Sequence, residues 1–251
     1  MRWRIVQACL LVGFLLALQS TPILAERRIA GGIWCKRAES YALSGAHEDQ
    51  LVRSLRKITG FQRLSFAEDG SLSLGDFSDV RAGSPTARQI ILCALGSGNA
   101  FVIEDHSGSP TIVFAQVAHE IDFKDRASEQ KVEAWRLQVD FDDFREIEAP
   151  PDVRQSFDVG FIVLHELLHG VGYQDTTSSE EIGELERLVN LARAELGLPL
   201  RDQYFGEPLP MTSRLFTFRL RFRRLAEPAA GRNMKRGRLS FLYFVYPLRS
   251  Y

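Results

Sequence analysis

Two histidines four residues apart, with a glutamate directly after the first, stand in the apolar stretch VLHELLHGVGYQD, residues 163–175. Positions four apart lie on one face of an α-helix, so His165 and His169 present their rings to a common point about one turn apart. Two imidazoles at that spacing chelate one ion, while Glu166 is turned aside from the shared axis and reaches a water on the metal instead of the metal itself. Gly172 then permits a left-handed exit from the helix, which returns Asp175 toward the same point. Three protein ligands with one open position describe a catalytic zinc site, since structural sites close all four. A core helix with incidental histidines is the blander reading. The chain has only five His, however, and two of them fall at i and i+4 with the Glu and the Gly both in place.

The flanking sequence supplies elements to hold such a site. AHEDQLVRSLRKITG, residues 46–60, has apolar positions at Leu51, Val52, Leu55 and Ile58 and closes on Gly60, which predicts a helix. RQIILCAL, AFVIED, PTIVFAQV and VEAWRLQVDF come next as strand-like runs separated by turn residues. Pro150 and Pro151 punctuate, and a helix is expected from about Asp152 to Val171, carrying the two histidines. A second helix is expected in SSEEIGELERLVNLARAELGL, with Ser178 and Glu181 as a capping box and Gly197 and Pro199 as its stop. The class is α+β: a mixed β-sheet, the site helix, a second helix, and a β-rich C-terminal tail.

With 251 residues and 45% hydrophobic content, the chain can bury a real core as one domain. Residues 1–25 are set apart by the basic start MRWR, the apolar run IVQACLLVGFLLAL and the polar stretch before Ala25. That is the order of a cleavable signal peptide, with an uncleaved anchor as the rival, and it implies a secreted or periplasmic protein. Cleavage discards Cys9 and leaves Cys35 and Cys93, for which one disulfide is the expectation in an oxidising compartment. Their spacing is unlike a zinc ribbon, so sulfur is not the expected zinc ligand. Charge divides the remainder into a body, residues 26–213, and a tail, residues 214–251. The tail holds ten Arg or Lys against one Glu, a net +9, and the body is left at −12. Such a tail either lies on its own body or meets an anionic surface. No nucleic-acid-binding motif accompanies it, so nucleic acid is not an expected partner.

His165, Glu166, His169, Gly172 and Asp175 together resemble the metzincin consensus of the zincin metallopeptidases, with Asp where a third His usually stands, as in snapalysin-like secreted proteases. The strand-rich half ahead of the site helix is similar to zincin architecture in general. The resemblance implies Zn2+ as cofactor, peptide or protein as substrate, and Glu166 as the general base that activates water and later protonates the leaving amine. It also implies a methionine turn, for which Met211 in PLPMTSR is the candidate, although strand-like sequence comes after it where the family has a helix. VNLARAELGLPLRDQYF resembles the segment downstream of HExxH in some bacterial metallopeptidase-like proteins, a hint of bacterial origin.

A gluzincin-type alternative takes the third ligand from the second helix, at Glu181 or Glu186, whose plainer reading is a solvated acidic helix start. Asp175 is preferred because Gly172 accounts for its position. His119 and Glu120 in QVAHEIDF read as a surface pair of a strand end, and His47 and His106 as exposed. Tyr173 and Tyr204 are candidate oxyanion donors, and Arg193 reads as the partner of a nearby carboxylate. RLFTFRLRF and LSFLYFVY read as two strands with one apolar and one basic face. They form either a hairpin that completes the fold or an adhesive surface, in which case the protein is a non-proteolytic zinc-binding or surface-adhesion protein. Neither specificity nor oligomeric state is encoded in any motif.

Overall fold

The computed structural model describes residues 31–38, 40–124, 131–176, 181–209, 215–224 and 238–247. The expected leader, Met211 and Ser178 lie outside them. The described chain is α+β. Strand β1 (Gly32–Cys35) leads to helix α1 (Gly45–Thr59), the short antiparallel pair β2 (Ser65–Phe66) and β3 (Leu72–Ser73), and helix α2 (Pro85–Gly96). Strands β4 (Ala100–Asp105), β5 (Ala115–Lys124) and β6 (Lys131–Val139) come next, then helices α3 (Pro151–Ser156), α4 (Val159–Gly170) and α5 (Glu184–Glu195). The chain continues through β7 (Leu200–Arg201), β8 (Glu207–Pro208), β9 (Leu215–Arg223) and β10 (Leu239–Pro247). Among the described residues, no helix is long and apolar enough to cross a membrane.

The principal sheet has the order β1-β4-β6-β5. β1, β4 and β6 run parallel, and β5 lies antiparallel to β6 at the edge. Side chains on one face of this sheet, including Ile33, Phe101, Ile103, Leu137 and Val139, enter the main core. Helix α4 packs against that core, touching α1, α2, α5, β5 and β6. Its residues from Val159 to Leu168 are all buried, which is the expected state for a helix apolar on every side. Gly170 ends the helix where it meets β4: a Cβ there would lie 2.1 Å from the Phe101 ring. Any side chain would push the helix end off the sheet.

Four elements depart from the sequence reading: of PTIVFAQV only Ala115–Val117 is strand, at the start of β5, and three others differ more. RQIILCAL is the body of helix α2, not a strand. A short continuous apolar run does not separate the two states by periodicity, and here cap chemistry decides: Ser84 Oγ accepts from Ala87 N at 2.9 Å and Pro85 sits in the first turn. The single helix expected over 152–171 is broken into α3 and α4, because Phe157 leaves the helical region and Asp158 starts a new cap, accepting from Gly160 N. The second helix begins only at Glu184, with Gly183 as its cap, so Glu181 precedes it and caps nothing.

The expected disulfide is not formed. Cys35 is buried on the sheet and Cys93 lies on the half-buried flank of α2, beside the stripe that faces the core. Burial pushes the Cys35 thiol up to about 11, so it is an inert apolar neighbour.

β9 and β10 pair antiparallel along their full length and form a second sheet with β7 and β8. Their alternation divides as the sequence suggests: Leu220, Phe222, Leu242 and Phe244 are buried in the main core. Phe222 and Phe244 meet Phe157 and Phe114 edge to face, with centroids 6.2 and 4.8 Å apart. Reciprocal backbone hydrogen bonds of 2.8 Å between Glu148 and Tyr243 tie the hairpin to the segment before α3. The arginines of the other face meet acids of the same chain. Arg221 and Arg223 reach Asp202 at 3.0 and 2.9 Å, Arg219 pairs with Glu207, and Arg224 with Asp152. Of the two dispositions open to the basic segment, the described part of it lies on its own body.

Candidate metal centre

His165 and His169 occupy the last two turns of α4, and their rings meet edge to face with centroids 5.2 Å apart. The chain then turns as Gly172 requires: its φ is +98°, and Tyr173 N bonds back to Leu168 O at 3.0 Å. That turn carries Asp175 back over the histidines. Asp175 Oδ1 lies 3.3 Å from His165 Nε2, and Oδ2 lies 3.2 Å from His169 Nε2. One atom from each of the three residues falls within 4.8 Å of the others.

The hydrogen bonds behind the rings fix which nitrogens face inward. His165 Nδ1 meets Glu186 Oε2 at 3.1 Å, and His169 Nδ1 meets the Tyr173 carbonyl at 3.2 Å. Both partners are acceptors, so each Nδ1 carries a hydrogen, and in the neutral ring each Nε2 keeps its lone pair on the side of Asp175. Two donors at about 2.0 Å from a tetrahedral zinc stand about 3.3 Å apart, and each histidine lies at such a distance, 3.3 and 3.2 Å, from one oxygen of Asp175. Asp175 Oδ1 is moreover buried, and with a neutral His165 ring at 3.3 Å it has no hydrogen-bond donor. Buried polar atoms are seldom left so, and a cation between the three donors would satisfy this one. The nitrogen, nitrogen and carboxylate set suits zinc by ligand type as well.

Electrostatics favour a positive charge at this point. Burial opposes protonation of His165, yet the carboxylates of Asp175 and Glu186 outweigh it and push the ring up to about 9. His169 is raised for the same reason, against its own burial, chiefly by Asp175. Asp175 is held well below the usual carboxylate range, because contacts from both histidines and the Tyr204 hydroxyl overcome its desolvation. In the metal-free chain, protons supply the charge that a divalent ion would supply.

Glu166 is not among the converging donors. Its carboxylate is buried, and burial raises its pKa against the pull of His165 and His169. A carboxyl with a raised pKa beside a cation site is better matched to taking and returning a proton than one at the ordinary value.

Glu181 is exposed and stands outside the donor group. Glu186 does approach the site, but behind His165: it contacts Nδ1 and not the side where Asp175 and His169 meet. It is 1% exposed and paired with Arg193, which is itself fully buried, and with Arg201 at 3.3 Å. The two arginines hold its pKa well below the usual range despite its burial. Sequence reasoning weighed Glu186 as a ligand or as part of a solvated helix start, neither of which is its place here, and it missed Arg201. Of the two tyrosines, Tyr204 donates its hydroxyl to Asp175 Oδ2, and its ring lies nearly parallel to that of His165 with centroids 5.8 Å apart. Tyr173 contributes its carbonyl.

The remaining histidines are elsewhere. His119 is exposed in mid-strand on β5, stacked on Trp135. His47 and His106, expected at the surface, are each 9% exposed. Tertiary partners draw them in: His47 lies 2.6 Å from Asp105 and stacks on Phe141, and His106 stacks on Tyr41. Compared with known proteins, the chain matches no family model, no curated protein and no solved structure.

Proposed function

We propose that the protein is a zinc-dependent metallopeptidase of zincin-like architecture, exported and acting on peptide bonds. The observation that carries this reading is the meeting of His165 Nε2, His169 Nε2 and the Asp175 carboxylate, with both Nδ1 atoms committed to acceptors behind them. The order of elements, a mixed sheet and then the buried helix that bears HExxH, supports the same class. His165, His169 and Asp175 would hold the ion. Zinc, when bound, supplies an acidified water and a polarised substrate carbonyl. Glu166 accepts the proton of the attacking water and delivers it to the leaving amine, a role for which its burial and raised pKa suit it.

The alternative, an adhesion protein working through its basic segment, draws less support, because Arg219, Arg221, Arg223 and Arg224 each face a carboxylate of their own chain. Zinc content and casein cleavage of the purified protein test the proposal, with Glu166→Gln as the decisive variant. It should keep the metal and lose activity by about 10²- to 10⁴-fold. A variant as active as the parent would sink the mechanism.

A further inference from the structure

Five residues close a ring of contacts around the candidate ligand His165. His165 Nδ1 meets Glu186 Oε2 at 3.1 Å, and the same carboxylate oxygen meets Arg201 Nη1 at 3.3 Å. Arg201 Nη2 donates to the Tyr204 carbonyl, Tyr204 donates its hydroxyl to Asp175, and Asp175 returns to His165 Nε2 at 3.3 Å. Arg201 is where the two arms join. One arm sets the tautomer of His165, and the other sets the position of the Asp175 carboxylate.

Resting on the metal-centre reading, we propose that Arg201 is a positioning residue that holds both arms in register. Three features of its surroundings carry this. Its backbone is clamped, since Arg201 N donates to Asn190 Oδ1 and its carbonyl accepts from Asn190 Nδ2, both at 2.8 Å. The guanidinium therefore starts from a point on β7 that is fixed to α5. Its nitrogens are then divided among separate acceptors, Nη1 to Glu186, Nη2 to the Tyr204 carbonyl and Nε to the Gln203 carbonyl at 3.1 Å. A planar fork with donors at set angles does this, and a lysine ammonium does not. Finally, the guanidinium carbon lies 5.1 Å from the centre of the Tyr204 ring, which in turn lies against His165. Glu186 keeps Arg193 as a second partner, so its charge survives without Arg201. The link from Glu186 to Tyr204 does not.

The test uses cobalt(II), whose visible absorption reports the geometry of its ligands, titrated into the metal-free full chain. Arg201→Met should weaken Co2+ binding about 10- to 100-fold, the range for outer partners of metal ligands, and should alter the visible band. Because one residue serves both arms, adding Arg201→Met to Glu186→Gln/Tyr204→Phe should cost less than about threefold more, a clear departure from additivity. Arg201→Lys keeps the buried charge and should recover only part of the affinity, which provides the reading if the Met variant does not fold. Parent-like affinity and spectrum in Arg201→Lys and Arg201→Met would overturn the inference, as would a full additive loss in the triple variant. A parent chain that takes up no cobalt or zinc would instead overturn the metal centre itself.

Discussion

At the carboxyl end of β4, Glu104 is met by three basic side chains: Lys36 reaches Oε1 at 3.1 Å, and Arg136 and His106 reach Oε2 at 2.8 and 3.2 Å. Beside it, Asp105 accepts from Ser107 N and Oγ on one oxygen and faces His47 on the other, while Arg145 covers the far nitrogen of that histidine at 3.2 Å. Around Asp175 the partners are two imidazoles and a phenol, and with neutral rings one buried carboxylate oxygen has no donor. Both regions bury histidines against acids, and residue type alone does not separate them. The balance of charge and lone pairs does. Glu104 is one acid among cations, and it stays ionised because hydrogen bonds from Arg136, His106 and Lys36 overcome its burial. With neutral histidines, the carboxylates of Asp175 and Glu186 and the buried carboxyl of Glu166 stand against the charges of Arg193 and Arg201, and among the described residues no cation touches Asp175. The first group is complete as it stands, and the second has room for a cation.

The largest effect that would break this contrast is on metal affinity. Asp175→Ala removes the only anionic donor of the three, and zinc affinity should fall roughly 100-fold or more. Glu104→Gln should leave it within about twofold of the parent, since that carboxylate has no place at the centre. Titrating both variants at one neutral pH makes the comparison fair, because ligand protonation competes with the ion. Equal losses in the two would mean that the regions are not different in kind.

A second effect comes from the proton that stands in for the ion. In the metal-free chain the pKa of His165 is raised to about 9, so its protonation stabilises the fold fully below about pH 6.5 and is lost as pH rises through about 9. That loss should reach about 3 kcal/mol at its upper limit. Zinc-loaded protein should not show it, because the nitrogen then carries metal at both ends of the range. Thermal melts of both forms between about pH 6 and pH 9.5 would display the divergence, and parallel curves would remove the case for a cation-seeking cluster. The smallest effect concerns the complete region. Glu104→Gln should destabilise by on the order of 1–2 kcal/mol, limited because Lys36 and Arg136 are a quarter or more exposed and can return to water. Denaturant unfolding would measure it, and a neutral result would show that the ion pairs only fill space.

The candidate ligands were legible because each depends on local geometry. Helical spacing aligns His165 with His169, and Gly172 at φ +98° turns the chain toward Asp175 within six residues of His169. Glu186 and Arg193 were visible as residues but not as a buried pair, since an acidic first turn and a basic last one are what any solvated helix prefers. Helix α2 was misread for a related reason: its apolar run fits either a strand or a helix, and the Ser84–Pro85 start carries the distinction. His47 and His106 show the limit from the other side, because only the return of β4 past α1 gives them acids and rings to lie against.

By itself, then, the sequence determined an α+β chain with two histidines at helical spacing, a glycine-directed Asp175 beside them, and two strands with one apolar and one basic face. These come from periodicity, φ preference and charge, each of which acts over a few residues. Only the tertiary structure decided that Glu186 stands behind His165 and not on the side where His169 and Asp175 meet, that Arg201 joins it to Tyr204, and that the basic face of the hairpin is answered by acids of the same body. Those outcomes depend on which helix faces lose water when α5 and the strand after it close on α4. The cost of burying a charge, which compels the pairing, exists only once that packing is made.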